Sequence, residues 1–108
     1  MSDSQNFEQI SINPGFMKHN GGLFFRDVSK NKYEFKSKIN NNHLNAAGIT
    51  HGGYLSALID SGAGTAAYKA ANNNPCVTIS LDLKFISTTL TLMSWFFWAI
   101  TAIVGPPT

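Results

Sequence analysis

Small side chains dominate the middle of this 108-residue chain and constrain its fold more than any other feature. Leu55, Leu58 and Ile59 repeat at helical spacing, which predicts a helix over residues 51–72. The same stretch is rich in Ala and Gly: Ala57, Gly62, Ala63, Gly64, Ala66, Ala67, Ala70 and Ala71. Each helical Gly costs roughly 1 kcal/mol relative to Ala, so this helix needs compensating contacts. We therefore expect one long central helix enclosed by a curved sheet.

Two strands are predicted before this helix. Residues 22–28 and 32–39 flank Ser29-Lys30-Asn31, which has the spacing and the turn-forming residues of a hairpin. The second strand alternates Lys32, Glu34, Lys36 and Lys38 with Tyr33, Phe35, Ser37 and Ile39. One face is thus charged and the other largely apolar. A solvated outer face is favoured over a phosphate-binding stripe, because charged strand faces are normally wet.

The remaining segments are predicted from their composition. Residues 1–20 indicate a short helix or turn that leads into the domain, and residues 40–50 indicate a loop. Three Asn and Pro75 end the helix, and residues 77–85 then alternate apolar and polar side chains, which predicts a strand. Residues 90–104 are almost wholly apolar and favour a buried strand. A membrane segment or an aberrant end stays open for them, although fifteen residues fall short of the ~20 of a spanning helix.

Bulk properties limit the class of protein. The length predicts a single domain over residues 1–108, with residues 1–20 as an N-terminal segment and residues 90–108 as an atypical apolar tail. The net charge of +2 comes from scattered basic residues, which argues against a nucleic-acid partner. Cys76 is a single cysteine, and no signal-peptide pattern opens the chain, so we expect a cytoplasmic protein. His19 and His43 lack metal-ligand spacing and are interpreted as surface residues.

The start of the central helix carries the candidate chemistry. Helix N-termini present unpaired amides and partial positive charge, so Gly52 and Gly53 are suited to polarising a carbonyl oxygen. Asp60 lies in an apolar stretch and is a candidate general base or nucleophile. Eight residues of helix separate Gly52 from Asp60 by about 12 Å. One helix cannot bring both groups to one carbonyl, so this chemistry requires a second chain.

The order of residues in this region resembles the hotdog-fold acyl-CoA thioesterase superfamily, in its phenylacetic acid degradation-related branch. The pattern is Asn45, two residues, Gly48, two residues, His51-Gly52-Gly53, and an acidic residue, Asp60, seven beyond the second Gly. The resemblance covers about residues 22–87. It implies an α+β fold in which an antiparallel sheet wraps round one long central helix.

The resemblance also implies roles for individual residues. Gly52 would hold the thioester carbonyl through its amide, with His51 and Asn45 ordering the loop, and with Gly48 and Gly53 contacting the substrate. Asp60 would come from the partner chain, and Thr78, in the following strand, would help to hold the attacking water. The implied substrate is a small or medium acyl-CoA, in a homodimer or a dimer of dimers. No metal or dissociable cofactor is implied, and a membrane partner is disfavoured.

Other interpretations stay open at this stage. Gly52-Gly53 as a plain helix entry, Asp60 as a buried structural acid, His51 as a helix cap and Thr78 as an ordinary strand residue all fit the sequence. Family members continue after residue 87 with two more strands, whereas this chain has room for one, so the last strand is expected to be missing. A truncated, catalytically inactive acyl-binding or assembly module is therefore the alternative function. A third class is membrane association through residues 95–98.

Overall fold

The structure is a computed structural model, and it describes residues 7–83 and 95–103. Its strands are β1 (Glu8–Ile10), β2 (Leu23–Ser29), β3 (Lys32–Lys38) and β4 (Trp95–Thr101). Its helices are α1 (Phe16–His19) and α2 (Gly52–Ala70), with one turn of 3-10 helix at Asn41–His43. The strands form an antiparallel sheet in the order β1-β2-β3-β4. This sheet and its single long helix confirm the predicted α+β hotdog fold.

The hairpin and the long helix form where the sequence predicts them. Lys30 and Asn31 make the turn between β2 and β3, and Asn31 has a φ of 59°, a conformation that Asn tolerates better than most residues. His51 caps α2, and the helix ends at Ala70. In the N-terminal segment the predicted short helix is α1, whereas β1 is a strand that its polar sequence did not indicate.

The core lies between the inner face of the sheet and one side of α2. Phe25 and Phe35 are fully buried, with ring centroids 6.2 Å apart, and Leu58 packs against them from the helix. Gly62 marks the closest approach, because a Cβ added there would overlap the indole nitrogen of Trp98 on β4. The small residues of the helix thus allow the close sheet contact that their composition predicts.

The predicted strand at residues 77–85 is wrong over residues 77–83, which form no regular strand. Val77 and Ile79 are 87% and 97% exposed, so the alternating side chains do not face a core. Alternation sets which side chains share a face, but a strand also needs a neighbouring edge for its hydrogen bonds. β4 occupies the edge of β3, and residues 77–80 instead line a cavity against α2. Residues 84 and 85 lie outside the described residues.

The apolar tail contributes to the sheet. Within residues 90–104, β4 pairs with the full length of β3, from Lys32 opposite Thr101 to Lys38 opposite Trp95. The predicted strand is therefore confirmed for Trp95–Thr101, whereas its expected burial is wrong, because its side chains alternate between half-buried and exposed. Residues 90–94 and 104 lie outside the described part. In the portion of the chain that the structure describes, there is no helix with the length and apolar character needed to cross a membrane.

Candidate functional site

The loop before α2 is closed by hydrogen bonds to Asn45. Its side-chain Oδ1 accepts from the amides of Ala47 at 2.9 Å and Ile49 at 3.2 Å. Its backbone amide donates to the Ile49 carbonyl at 2.7 Å, and its carbonyl accepts from Gly48 at 2.9 Å. Gly48 has a φ of 80°, a left-handed conformation that favours glycine. Asn45 and Gly48 together therefore determine the shape of the loop that leads to the helix.

His51 caps the first turn of α2 with its side chain. Its Nδ1 accepts a hydrogen bond from the Gly53 amide at 2.8 Å. Because Nδ1 is the acceptor, the neutral ring carries its proton on Nε2, which remains available as a donor. A Cβ on Gly53 would lie 3.0 Å from the imidazole, tighter than ordinary contacts. The cap therefore requires a residue without a side chain at Gly53. The Gly53 amide already donates to His51 and is not available to a substrate.

The Gly52 amide differs from the other amides of this turn in its hydrogen bonding. The amides of Tyr54 and Leu55 both donate to the His51 carbonyl, at 3.0 and 3.2 Å. In residues 7–83 and 95–103, no acceptor pairs with the amide of Gly52. An unpaired amide at the positive end of a 19-residue helix is suited to receiving an oxygen that carries negative charge. This geometry fits a carbonyl-binding position at Gly52.

Asp60 and Thr78 meet at the middle of α2. The Thr78 hydroxyl donates to Asp60 Oδ1 at 2.6 Å, and Asp60 is half-buried. The hydroxyl reaches Asp60 from an irregular segment, so the expected place of Thr78 in a strand is wrong, although the two side chains do meet. The other carboxylate oxygen, Oδ2, can accept a proton or attack a carbon atom. The pair is therefore a carboxylate held by one hydrogen bond.

The candidate residues fall into two groups along the helix. Asn45, Gly48, His51, Gly52 and Gly53 lie together at its start, and Asp60 lies with Thr78 about two turns further on. A rise of 1.5 Å per residue puts roughly 12 Å between Gly52 and Asp60. The structure of one chain therefore does not bring the amide and the carboxylate to one carbonyl.

His43 was interpreted from the sequence as a surface residue, and this is wrong, since only 1% of it is exposed. Its ring stacks on Tyr54 with centroids 3.7 Å apart and planes at 7°. Nδ1 accepts from the Asn40 amide at 3.0 Å, and Nε2 donates to the Asn20 carbonyl at 2.6 Å. The signal in the sequence was the Asn-x-x-His spacing, a capping box that orders the short 3-10 helix.

His43 holds the loop of the candidate site against the start of α2. Its carbonyl accepts from the His51 amide at 2.8 Å, which fixes the end of the loop against the start of α2. Tyr54 continues the network, because its hydroxyl donates to the Asn20 carbonyl at 3.2 Å and lies 3.4 Å from Ser37 Oγ. Ser37 in turn donates to the Gly22 carbonyl at 3.1 Å. This buried network ties the loop to β3 and to the α1–β2 connection.

Burial lowers the pKa of His43 below its ordinary value of 6.5, although the hydrogen bond to Asn20 acts in the opposite direction. Burial likewise raises the pKa of the Tyr54 hydroxyl, with the Ser37 contact lowering it in part. Both rings are therefore held neutral near pH 7. A neutral imidazole also matches its hydrogen bonds, since one nitrogen accepts and the other donates.

We predict that the protein loses stability in mild acid because of His43. Its folded pKa is lowered, so below pH 6.5 the unfolded chain takes up a proton that the folded chain does not. The free energy of unfolding should then fall by at most about 1.4 kcal/mol per pH unit between 6.5 and the folded pKa. Urea denaturation from pH 7.5 to 5 measures this slope. His43→Gln should flatten it and the exposed-residue control His19→Gln should not; equal slopes in all three proteins would contradict the prediction.

The described residues, 7–83 and 95–103, contain no group of three His, Cys, Asp or Glu that is arranged to hold a metal ion. Groups with acid-base or nucleophilic capacity near the helix include His51, Asp60 and the thiol of Cys76, which is exposed. The arrangement is therefore one of amides, a hydroxyl and a carboxylate.

A comparison with known protein families identifies the same region. The model of the thioesterase superfamily matches residues 47–89, which include Gly48, the start of α2, Asp60 and Thr78, whereas Asn45 lies just before the match. A protein of Pseudomonas aeruginosa named "Putative esterase" is 36% identical over 66 residues, which cover 60% of this chain and 49% of that protein. The aligned part thus spans about half the length of this curated relative. No solved structure matches the chain.

Proposed function

We propose that this chain is a subunit of an acyl-CoA thioesterase. The observation that carries the proposal is the unpaired amide of Gly52 at the start of α2, beside a Gly53 amide that His51 already occupies. The match of residues 47–89 to the thioesterase superfamily and the similarity to a protein named as an esterase support the same class of reaction.

In the proposed mechanism, the Gly52 amide binds the thioester carbonyl oxygen. Negative charge develops on this oxygen as the tetrahedral intermediate forms, and the helix N-terminus stabilises it. The His51 cap and the Asn45 loop hold the Gly52 amide in position, so little reorganisation is needed when the charge appears. His51 is exposed, and its Nε2–H serves as a second donor for the thioester end of the substrate.

Asp60 acts as general base or nucleophile in this proposal. As a base, it takes a proton from water, the resulting hydroxide bonds to the carbonyl carbon, and the C–S bond breaks to release CoA as a thiolate that is then protonated. As a nucleophile, it bonds to the carbonyl carbon itself, and the C–S bond breaks to release CoA as a thiolate that is then protonated. Water afterwards hydrolyses the mixed anhydride to the free acid and the carboxylate of Asp60. Thr78 fixes Oδ1 of the carboxylate in either case and leaves Oδ2 to react.

The proposed active unit contains two chains. About 12 Å of helix separates the carbonyl-binding amide from the carboxylate within one chain, too far for both to reach one carbon atom. In a two-fold homodimer, Asp60 of each subunit would serve the Gly52 of the other, which creates two equal sites. A dimer of dimers would repeat the same arrangement.

We further propose a small or medium acyl group, including aromatic acyl groups of the phenylacetyl type, and a cytoplasmic site of action. The acyl class rests on the spacing of Asn45, Gly48, His51-Gly52-Gly53 and Asp60, which resembles the phenylacetic acid degradation-related branch. The location rests on a single cysteine without a possible disulfide partner in this sequence.

Release of free CoA tests the proposal. The full chain is incubated with acetyl-, butyryl-, octanoyl- and phenylacetyl-CoA, and a thiol-reactive chromophore follows the product. Because the exposed thiol of Cys76 also reacts, Cys76→Ser is the matched background control. We expect turnover in both proteins with at least one substrate of the panel.

The alternative is an inactive acyl-binding or assembly module. It is favoured by one observation, the irregular and exposed course of residues 77–83 where a strand was expected. Acyl-CoA binding detected by calorimetry, without release of thiol from any member of the panel, would establish this alternative and reject the thioesterase.

A further inference from the structure

The side of the sheet that faces away from α2 combines exposed aromatic rings with cations. In β4, Phe96, Trp98 and Ile100 pack against the core. Trp95 and Phe97 point the other way and are 38% and 58% exposed. Residues 95–98, which the sequence offered as one membrane-associating segment, are therefore divided between the two faces of the sheet. Their outward side chains, Trp95 and Phe97, lie beside the charged face of β3.

Two lysines of β3 sit directly among these rings. Lys38 is opposite Trp95 and Lys36 is opposite Phe97 in the register of the sheet. The Lys36 ammonium lies 4.7 Å from the ring centroid of Phe7, 5.8 Å from that of Phe24 and 4.6 Å from that of Trp95. The Lys38 ammonium lies 5.7 Å from the Trp95 centroid. We call this surface the aromatic–lysine face: Phe7, Phe24, Lys36, Lys38, Trp95 and Phe97.

The net positive charge of the aromatic–lysine face and its surroundings favours an anionic partner. The outward positions of β2 and β3 carry Arg26, Lys32, Lys36 and Lys38 against one carboxylate, Glu34. Glu34 accepts from Arg26 Nε at 2.8 Å. Within the described residues, no carboxylate forms an ion pair with Lys36 or Lys38. A second copy of the same face would meet it with like charge, which disfavours self-association there.

The chemistry of the rings separates two anionic partners. Single-stranded nucleic acid is bound by stacking bases on open aromatic faces, but here the ammonium of Lys36 lies over the rings of Phe7, Phe24 and Trp95. An anionic bilayer has the opposite requirement, since Trp and other aromatic rings enter the headgroup region while Lys and Arg contact the lipid phosphates and carboxylates. Cations that are interleaved with aromatic rings on one face of the sheet suit the bilayer.

We propose that the aromatic–lysine face binds the surface of an anionic lipid bilayer, with Trp95 and Phe97 in the headgroup region and Lys36 and Lys38 on the lipid headgroups. This contact is peripheral and involves only the outward side of the sheet. It leaves α2, with Gly52 and Asp60, on the opposite side and open to a second subunit. It does not depend on the proposed hydrolysis.

Co-sedimentation of the full chain with vesicles tests the proposal. Vesicles of phosphatidylcholine with about one third phosphatidylserine should bind the protein, and pure phosphatidylcholine should bind it far more weakly. A lysine close to an anionic surface contributes about 1 kcal/mol, or roughly fivefold in partitioning. Lys36→Gln combined with Lys38→Gln should therefore reduce binding by roughly 25-fold.

The matched control is Lys18→Gln combined with Lys30→Gln, which removes the same charge from exposed positions in α1 and in the β2–β3 turn. It should reduce binding by less than about threefold, because the contact is local. Phe97→Ser, which leaves the charge unchanged, should reduce binding as well. Far-UV circular dichroism and the melting temperature verify that each variant is folded.

Three results would overturn the proposal. One is absence of binding to the anionic vesicles. Another is an equal loss in the two double variants, which would attribute binding to net charge alone. The last is binding of a single-stranded oligonucleotide that depends on Lys36 and Lys38 when the vesicles are not bound, which would make the face a nucleic-acid surface.

Discussion

Replacing Asp60 with Asn is expected to lower the proposed acyl-CoA hydrolysis by about 10²–10⁴-fold and to leave the fold and the assembly of the protein unchanged. Asn retains an oxygen that accepts the hydrogen bond from Thr78, so the side chain stays in place. It cannot take a proton from water or attack a carbonyl carbon, which is the whole contribution proposed for the carboxylate. The measurement is kcat/KM for the preferred acyl-CoA, with size-exclusion chromatography to verify assembly.

Asp27→Asn is the matched control for this prediction. Asp27 is exposed in β2, and the substitution removes the same charge away from α2. Its kcat/KM should stay within about twofold of the unmodified protein, as is usual for exposed substitutions far from a site. Similar activity in the Asp60 and Asp27 variants would show that Asp60 is a structural acid, which is the other role that the sequence left open.

Replacing Gly62 with Ala is expected to destabilise the protein by about 1–3 kcal/mol. The added Cβ would overlap Trp98 Nε1 and lie 3.2 Å from the ring of Phe35, so helix and sheet must separate. Trp98 Nε1 is buried, and none of the described residues offers it a hydrogen-bond partner. Urea denaturation followed by circular dichroism gives the change in the free energy of unfolding.

Gly64→Ala serves as the comparison, because a Cβ at Gly64 meets nothing within 4 Å. There the higher helix propensity of Ala should stabilise the protein by up to about 1 kcal/mol. The two substitutions are chemically identical and lie on the same helix, so only the sheet contact distinguishes them. If both variants gain stability, the close packing of β4 on α2 is wrong.

The sequence predicted those parts of the fold that local patterns determine. The β2–β3 hairpin follows from two alternating segments around Lys30-Asn31, and α2 follows from helical spacing between His51 and Asn72. Close packing of the helix on the sheet followed from its Gly and Ala content, and Gly62 against Trp98 is the contact that shows it. The buried residues of α2 lie on one side only, so the sheet packs against the helix without enclosing it.

Interactions between distant segments were not predictable in the same way. The alternation of residues 77–83 is real, but whether a strand forms depends on a free sheet edge, and β4 takes the edge of β3. His43 is buried because Asn20, Tyr54 and the His51 amide converge on it from separate elements. At the candidate site, the sequence suggested the glycine pair, whereas the structure distinguishes the capped Gly53 from the unpaired Gly52.

We propose that the amide that binds the carbonyl and the carboxylate that attacks it belong to different chains. Gly52→Pro removes the amide proton while suiting the first position of a helix. His51 before it has φ −66° and ψ 128°, which is compatible with a following proline. Asp60→Asn removes the carboxylate. Each variant alone is expected to be inactive.

Co-expression of the two variants with different affinity tags, followed by purification and an acyl-CoA assay, measures this claim directly. In a mixed dimer, the Gly52 of the Asp60→Asn chain faces the intact Asp60 of the other chain, so one of its two sites is complete. Mixed dimers isolated through both tags should therefore have about one half of the unmodified activity, and the unfractionated, randomly paired mixture about one quarter. Mixed dimers that form and remain as inactive as the parent variants would contradict a site shared between two subunits.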